Sequence, residues 1–206
     1  MAKIIGICST QKGKSKTSHS EFFLNYIGGL AKERGGDYEV VRLMDRDLME
    51  CDNCGTCLAS GRCKHNDVSG DQFNSIMEIL RQGDGFAVCS PVYGQGAPAI
   101  MINFINRCCS LRNQPELNPF MGKPLLNMAI AGGIGNAVTV YELESYQPYL
   151  GFISAGSLGL ALMNSDSEMI GTTGFVLPSD SPGISGMVKC QGLKLIRMSD
   201  ENKKER

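Results

Sequence analysis

Four of the nine cysteines fall within thirteen residues, as Cys51-Asp52-Asn53-Cys54-Gly55-Thr56-Cys57 followed by Cys63. The pattern is C-x2-C-x2-C-x5-C. Successive two-residue gaps let one tight loop turn several thiolates towards a single centre, and Gly55 and Gly61 permit that turn. Four thiolates are the donor set of a 4Fe–4S cluster. A zinc ion held by four cysteines is the competing reading. Zinc sites usually split their cysteines into two separated C-x2-C pairs, whereas three share one turn here. Empty or disulfide-bonded thiols are a third reading. The other five cysteines (Cys8, Cys89, Cys108, Cys109 and Cys190) lie in strand or helix patterns and read as small packing residues.

A second constellation is Ser9-Thr10-Gln11-Lys12-Gly13-Lys14-Ser15-Lys16-Thr17-Ser18, which runs straight into a helical pattern. Backbone N–H groups at a helix start, hydroxyls and lysines together make an anion site. Gly13-Lys14-Ser15 matches only the end of a P-loop, because Cys8 stands where the motif needs its first glycine. One phosphate therefore suits the loop better than a triphosphate. Ser90-Pro91-Val92-Tyr93-Gly94-Gln95-Gly96 and Gly132-Gly133-Ile134-Gly135 are suited to holding a flat ring, with backbone close to it and one aromatic face. The bland alternative is that all three are solvated turns.

The elements that must position these loops alternate. Apolar runs at 3–9, 38–44, 86–89, 125–131 and 158–163 read as strands. Between them, Phe23, Ile27 and Leu30, then Phe73, Ile76, Met77 and Leu80, then Ile100, Phe104, Cys108 and Leu111, recur at helical spacing. Ser18/Glu21 and Ser69/Gln72 form capping-box patterns. Pro148 should kink or divide a helix over 138–153. Residues 164–182 show no periodicity, and 187–198 read as a last helix. The expectation is an α/β doubly wound five-stranded parallel sheet with helices on both faces. It forms one domain over 1–198, with a cysteine loop at 50–67 and a charged, frayed tail at 199–206. Ligands in such folds bind beyond the carboxyl ends of the strands, and the three loops follow the first, third and fourth strands.

The chain has 206 residues, 20 Lys plus Arg against 21 Asp plus Glu, and 42% hydrophobic residues. Charge balance argues against nucleic-acid and acidic-membrane binding. No apolar run is long enough to span a bilayer, and the N-terminus reads as a strand rather than a signal peptide. A reducing, cytoplasmic setting is the default, in which clustered cysteines point to metal or redox chemistry. His19, beside the phosphate loop, and His65, beside Cys63, are the only histidines. No Ser/His/Asp triad or paired-carboxylate site is evident.

The opening strand with its Ser/Thr/Lys loop, Ser90-Pro91-Val92-Tyr93 with Ile100 to Arg107, and Gly132–Gly135 resemble flavodoxin-like FMN proteins of the NADPH-dependent FMN reductase type. The resemblance covers roughly residues 3–160. The cysteine motif, placed after the second strand, resembles that of iron–sulfur flavoproteins, a branch of that family. The resemblance implies FMN with its phosphate at Ser9, Gln11, Lys16, Thr17 and Ser18. It implies a flavin ring at Pro91, Val92, Tyr93, Gly94, Gln95, Gly132, Gly133 and Gly135, and a 4Fe–4S cluster on Cys51, Cys54, Cys57 and Cys63. The family's usual Gly-Ser-Pro-Arg is Cys8-Ser9-Thr10-Gln11 here, so its arginine contact is missing and lysines stand in for it. The implied function is electron transfer between a one-electron carrier and a two-electron acceptor. The partner would be a redox protein such as a ferredoxin, or NAD(P)H, and the assembly a homodimer or homotetramer. The alternative is an NAD(P)H-dependent FMN or quinone reductase with a structural or zinc-bound cysteine loop. A non-enzymatic flavin sensor is a third possibility.

Overall fold

Apolar runs bury best where both faces are covered, and the five strands do so in one parallel sheet. The computed structural model describes residues 1–13, 18–60, 62–111, 116–162 and 182–205. The chain order is β1 (Lys3–Cys8), α1 (His19–Glu33), β2 (Asp37–Arg42), a short α2 (Thr56–Ser60), α3 (Phe73–Arg81), β3 (Gly85–Pro91), α4 (Ala99–Cys108), β4 (Pro124–Ala131), α5 (Asn136–Leu150), β5 (Ile153–Ala161) and α6 (Pro182–Lys204). The strand order is β2-β1-β3-β4-β5, all parallel. This is the flavodoxin-like doubly wound arrangement, with its switch point between β1 and β3.

Alternate strand residues serve opposite layers. Ile5 and Ile7 of β1 join Phe73, Ile76, Met101, Phe104 and Leu143 under α3, α4 and α5. Ile4 and Cys8 join Phe23, Leu24, Ile27, Val188 and Leu195 under α1 and α6. Every residue of β4 is buried, whereas the edge strand β5 is partly open.

Several elements differ from the expectation, each for a local reason. The fifth strand starts at Ile153 rather than Leu158, because α5 ends at Leu150, where Gly151 takes a left-handed conformation (φ 85°). Pro148 lies in the last turn of α5 with only two helical residues after it, so the hydrogen bond it cannot donate is lost at the helix end and the helix is not divided. Residues 199–204 continue α6 and do not fray. The Ala2 N–H donates to Asp200 Oδ1 at 2.7 Å and Lys203 Nζ to Asp84 Oδ2 at 2.9 Å. Most of the unassigned stretch 164–182 lies outside the described residues.

One contact sets how closely α1 approaches the sheet. The Tyr38 ring of β2 lies in a slot floored by Gly28 of α1 and Gly6 of β1. A Cβ at Gly28 would fall 2.1 Å from the ring's Cδ1, and one at Gly6 would fall 2.6 Å from its hydroxyl. Gly28→Ala is expected to destabilise by about 1–3 kcal/mol, the usual cost of overpacking. Urea unfolding would measure this, and Tyr38→Val in the Gly28→Ala background should recover part of the loss.

Candidate functional site

The three loops expected to bind a ligand meet at the carboxyl edge of β1, β3 and β4. Ser9 is fully buried, and its Oγ donates to Ser90 Oγ at 3.0 Å, while Ser90 donates to Pro91 O at 3.0 Å. The ends of β1 and β3 are thus tied by hydroxyls. The Gln11 N–H donates to the Tyr93 hydroxyl at 3.2 Å, joining the phosphate loop to the aromatic loop. Ser18 caps α1, accepting from the Glu21 N–H at 3.5 Å. Glu21 does not complete the capping box. Its carboxylate pairs with Arg42. Lys16 and Thr17 lie outside the described residues.

Arg42, at the end of β2, is the residue that loop patterns missed. Its guanidinium donates to Lys12 O at 2.7 Å, pairs with Glu21 and approaches Asp45 at 3.4 Å. A cation from a neighbouring strand therefore braces the loop that lacks the family's usual arginine. Burial and nearby Lys12 push His19 down, so it is neutral near pH 7 and adds no charge here.

The ring loops are built to leave backbone open. Tyr93 and Gly96 exchange hydrogen bonds at 3.0 and 3.3 Å around a turn in which Gly94 has φ 68°. The Val92 N–H donates to Ile130 O at 2.9 Å, and the Ala97 N–H to Glu142 Oε2 at 3.1 Å. Gly135 (φ 91°) packs so tightly on this turn that a Cβ would fall 2.8 Å from Val92 and 3.0 Å from Gln95. Gly132 and Gly133 face open space, with nothing within 4 Å of where a Cβ would be. Pro91, Val92, Tyr93, Gly94 and Gln95 are thus brought to the Gly132–Gly135 turn.

The four motif cysteines line one cavity of about 280 Å³, together with Asn106, Arg107, Cys109 and Tyr149. Cys51 and Cys54 are exposed, and Cys57 and Cys63 are half-buried. Burial, then the neighbouring Cys63, Cys51 and Cys109, push the Cys57 thiol up, which reflects how near these sulfurs stand to one another. Among the described residues no three His, Cys, Asp or Glu converge tightly enough to hold a single ion. A zinc ion needs its sulfurs at about 2.3 Å from one point. A four-iron cluster places each thiolate on a different iron around a larger core. Four thiols line this one cavity, and thiolate is the donor type that either group takes. Cys108 is buried in the core, as its pattern implied, whereas Cys109 turns to the cavity wall.

The cysteine loop is held by a buried ion pair that motif reading did not reveal. Arg107 of α4 makes a two-pronged pair with Asp71, at 2.7 and 3.1 Å, with both side chains almost fully buried. Arg107 also donates to Met49 O (2.9 Å) and Asn66 Oδ1 (3.2 Å), and stacks 4.7 Å over the Phe73 ring. Asp71 accepts from the N–H groups of Met49 and Phe73, both at 2.9 Å. Asp71, and not Ser69, therefore satisfies the start of α3. Asn103 accepts from the Cys51 N–H at 2.9 Å and donates to Met49 O at 3.2 Å. The one advance signal was a charged residue among the apolar positions of α4.

Fold and site together define a flavodoxin-like protein whose loops after β1, β3 and β4 gather at one sheet edge and which carries a separate cavity of thiols. Residues 2–166 match the family model of the NADPH-dependent FMN reductases, and the chain belongs to that family of FMN-linked oxidoreductases. It is 24% identical over 172 residues to an iron–sulfur flavoprotein of Archaeoglobus fulgidus, covering 80% of this chain and 84% of the relative. A second iron–sulfur flavoprotein of that organism is 30% identical over 101 residues, which is 49% of this chain. The chain spans 43% of the length of that relative. Among solved structures, RosB with bound 8-demethyl-8-formylriboflavin-5'-phosphate is similar at a TM-score of 0.68 and 14% identity, over all of this chain and 80% of that one. At that identity the likeness is one of fold.

Burial raises the Asp71 carboxyl, but Arg107 and the two N–H donors outweigh it and hold it below the usual carboxylate range. A depressed folded value contributes stability above the unfolded value of about 3.9, lost as pH falls through the folded value. Asp71→Asn is expected to cost about 3 kcal/mol near neutral pH, the low end for breaking a buried pair. Its stability should also fall less steeply than wild type below about pH 4 in urea unfolding.

Proposed function

We propose that this protein is an FMN-binding iron–sulfur flavoprotein that passes electrons between a one-electron carrier and a two-electron acceptor. The observation that carries the reading is the gathering of Cys51, Cys54, Cys57 and Cys63 on one cavity, in a chain whose family binds FMN. When bound, FMN exchanges one or two electrons and the cluster exchanges one, so together they link the two kinds of partner.

The chain's own residues bind and orient. Ser9, Gln11, Lys16, Thr17 and Ser18 hold the flavin phosphate, with Arg42 bracing the loop through Lys12 O. The α1 N-terminus adds favourable dipole charge. Pro91 to Gln95, the open backbone of Gly132 and Gly133, and Gly135, which packs that turn against Val92 and Gln95, hold the ring, with Tyr93 tying ring loop to phosphate loop through the Gln11 N–H. NAD(P)H is the small-molecule donor that the family name supports, and a ferredoxin-like protein is the one-electron partner. A reducing, cytoplasmic setting is the one in which clustered cysteines serve metal or redox chemistry rather than disulfides. Among the described residues no helix is long and apolar enough to cross a membrane.

A homodimer is supported by an apolar stripe beside the ring loops. Val138 and Tyr141, three residues apart on the first turns of α5, are 57% and 75% exposed, and Ile134 in the turn just before the helix is 73% exposed. Tyr141→Glu is expected to shift the species observed by sedimentation to monomer, while the circular dichroism of the fold stays unchanged.

The central test is anaerobic isolation followed by iron, acid-labile sulfide and flavin assays. About four iron and four sulfide per chain are expected, with one FMN. Cys54→Ser should lose the cluster and keep the FMN. Stoichiometric zinc without sulfide, with NAD(P)H oxidation unaffected by Cys54→Ser, would replace this reading with a reductase carrying a structural cysteine loop.

A further inference from the structure

Arg107 carries five N–H donors. Four donate to Met49 O, Asn66 Oδ1 and the two oxygens of Asp71. Its Nε is buried and has no hydrogen-bond partner. A buried donor left unmatched costs stability, so this one marks a place where an acceptor belongs. Arg107 lines the cysteine cavity, while its partner Asp71 does not. The ion pair therefore presents its positive end to the cavity and its negative end to α3 and Met49. Cys63 lines the same wall, near the guanidinium. The nearby Asp52 and Lys64 pair with each other on the exposed rim, so neither offsets the charge of Arg107.

We propose that Arg107 is the electrostatic partner of the cluster, its Nε–H donating to a sulfur at the Cys63 corner and its fixed charge favouring the reduced form. Reduction adds one negative charge to a centre already bound by four thiolates. A guanidinium held in a water-poor wall stabilises that charge more than a solvated one would. Since the guanidinium is already fixed by four other bonds, the contact needs no rearrangement when the electron arrives. Arg107 thereby sets how readily the centre accepts an electron, beyond fixing the loop. The inference rests on the iron–sulfur reading above.

The test compares wild type, Arg107→Gln and Arg107→Lys by iron and sulfide content, and by potentiometric titration monitored by electron paramagnetic resonance. The bound FMN is titrated in the same samples as an internal reference. At the wild-type midpoint, the reduced-to-oxidised ratio of the Arg107→Gln cluster should fall at least tenfold, equivalent to a potential lower by about 59 mV for one electron. Arg107→Lys keeps the charge and loses Nε–H, and should fall between the two. FMN potential should stay unchanged in both. A purely structural role would lower cluster content and leave the potential of the assembled fraction unmoved, and that result overturns the proposal. If neither variant assembles, the Arg62→Lys chain, which lacks the arginine next to Cys63 in sequence, is labelled with nitrogen-15 arginine and decides. A hyperfine-coupled nitrogen-15 signal from the reduced centre supports the contact, and its absence overturns it. Wild type without iron and sulfide would instead sink the iron–sulfur reading itself.

Discussion

The Asp71–Arg107 pair is the constraint on which the cysteine site depends. Sequence alone would never bury a guanidinium and a carboxylate beside an apolar layer, since each ion carries a desolvation penalty of several kcal/mol. The structure offsets that penalty by using every group more than once. Asp71 starts α3, holds Met49 and binds Arg107, and Arg107 holds Met49 and Asn66 and stacks on Phe73. The residues just before and just after the cysteine motif are thereby fastened to one side chain of α4. Without that fastening, a loop of low hydrophobicity would have nothing to oppose its conformational entropy.

The sheet and the cysteine motif were legible because their signals are local. Continuous apolar runs mark buried parallel strands, and C-x2-C-x2-C is a spacing within one turn. The loops Ser90–Gly96 and Gly132–Gly135 were legible for the same reason, since each follows its own strand. Arg107 and Asp71 were not, because they are 36 residues apart and each looks misplaced or ordinary by itself. Arg42 was hidden similarly, as its partners Glu21 and Lys12 come from the preceding helix and loop. Ser69 lost the start of α3 to Asp71 because an ionised carboxylate is a stronger acceptor than a hydroxyl. The C-terminal residues read as a frayed tail because what holds them, Ala2 and Asp84, lies far away along the chain.

The two halves of the site stand at opposite ends of one helix. The aromatic loop closes on Pro98 at the start of α4, and Arg107 sits at its last turn. Nine residues at about 1.5 Å each put about 14 Å of helix between Pro98 and Arg107. The ring loops lie beyond the sheet's carboxyl edge, while the cavity lies beside its flank, next to Tyr149 at the far end of α5. The rigid helix fixes the spacing of its two ends.

The loop that carries the four thiols is pinned on both flanks to the same guanidinium, through Met49 and Asn66. Such a tether survives whatever happens between its ends. The strands, α3 and α4 are held by the apolar core and by the Asp71–Arg107 pair rather than by the four thiols. The ends of the segment stay together, so the entropy of closing the loop is met by the frame and not by the thiols. The loop thus hangs on a frame whose packing does not depend on its cysteines.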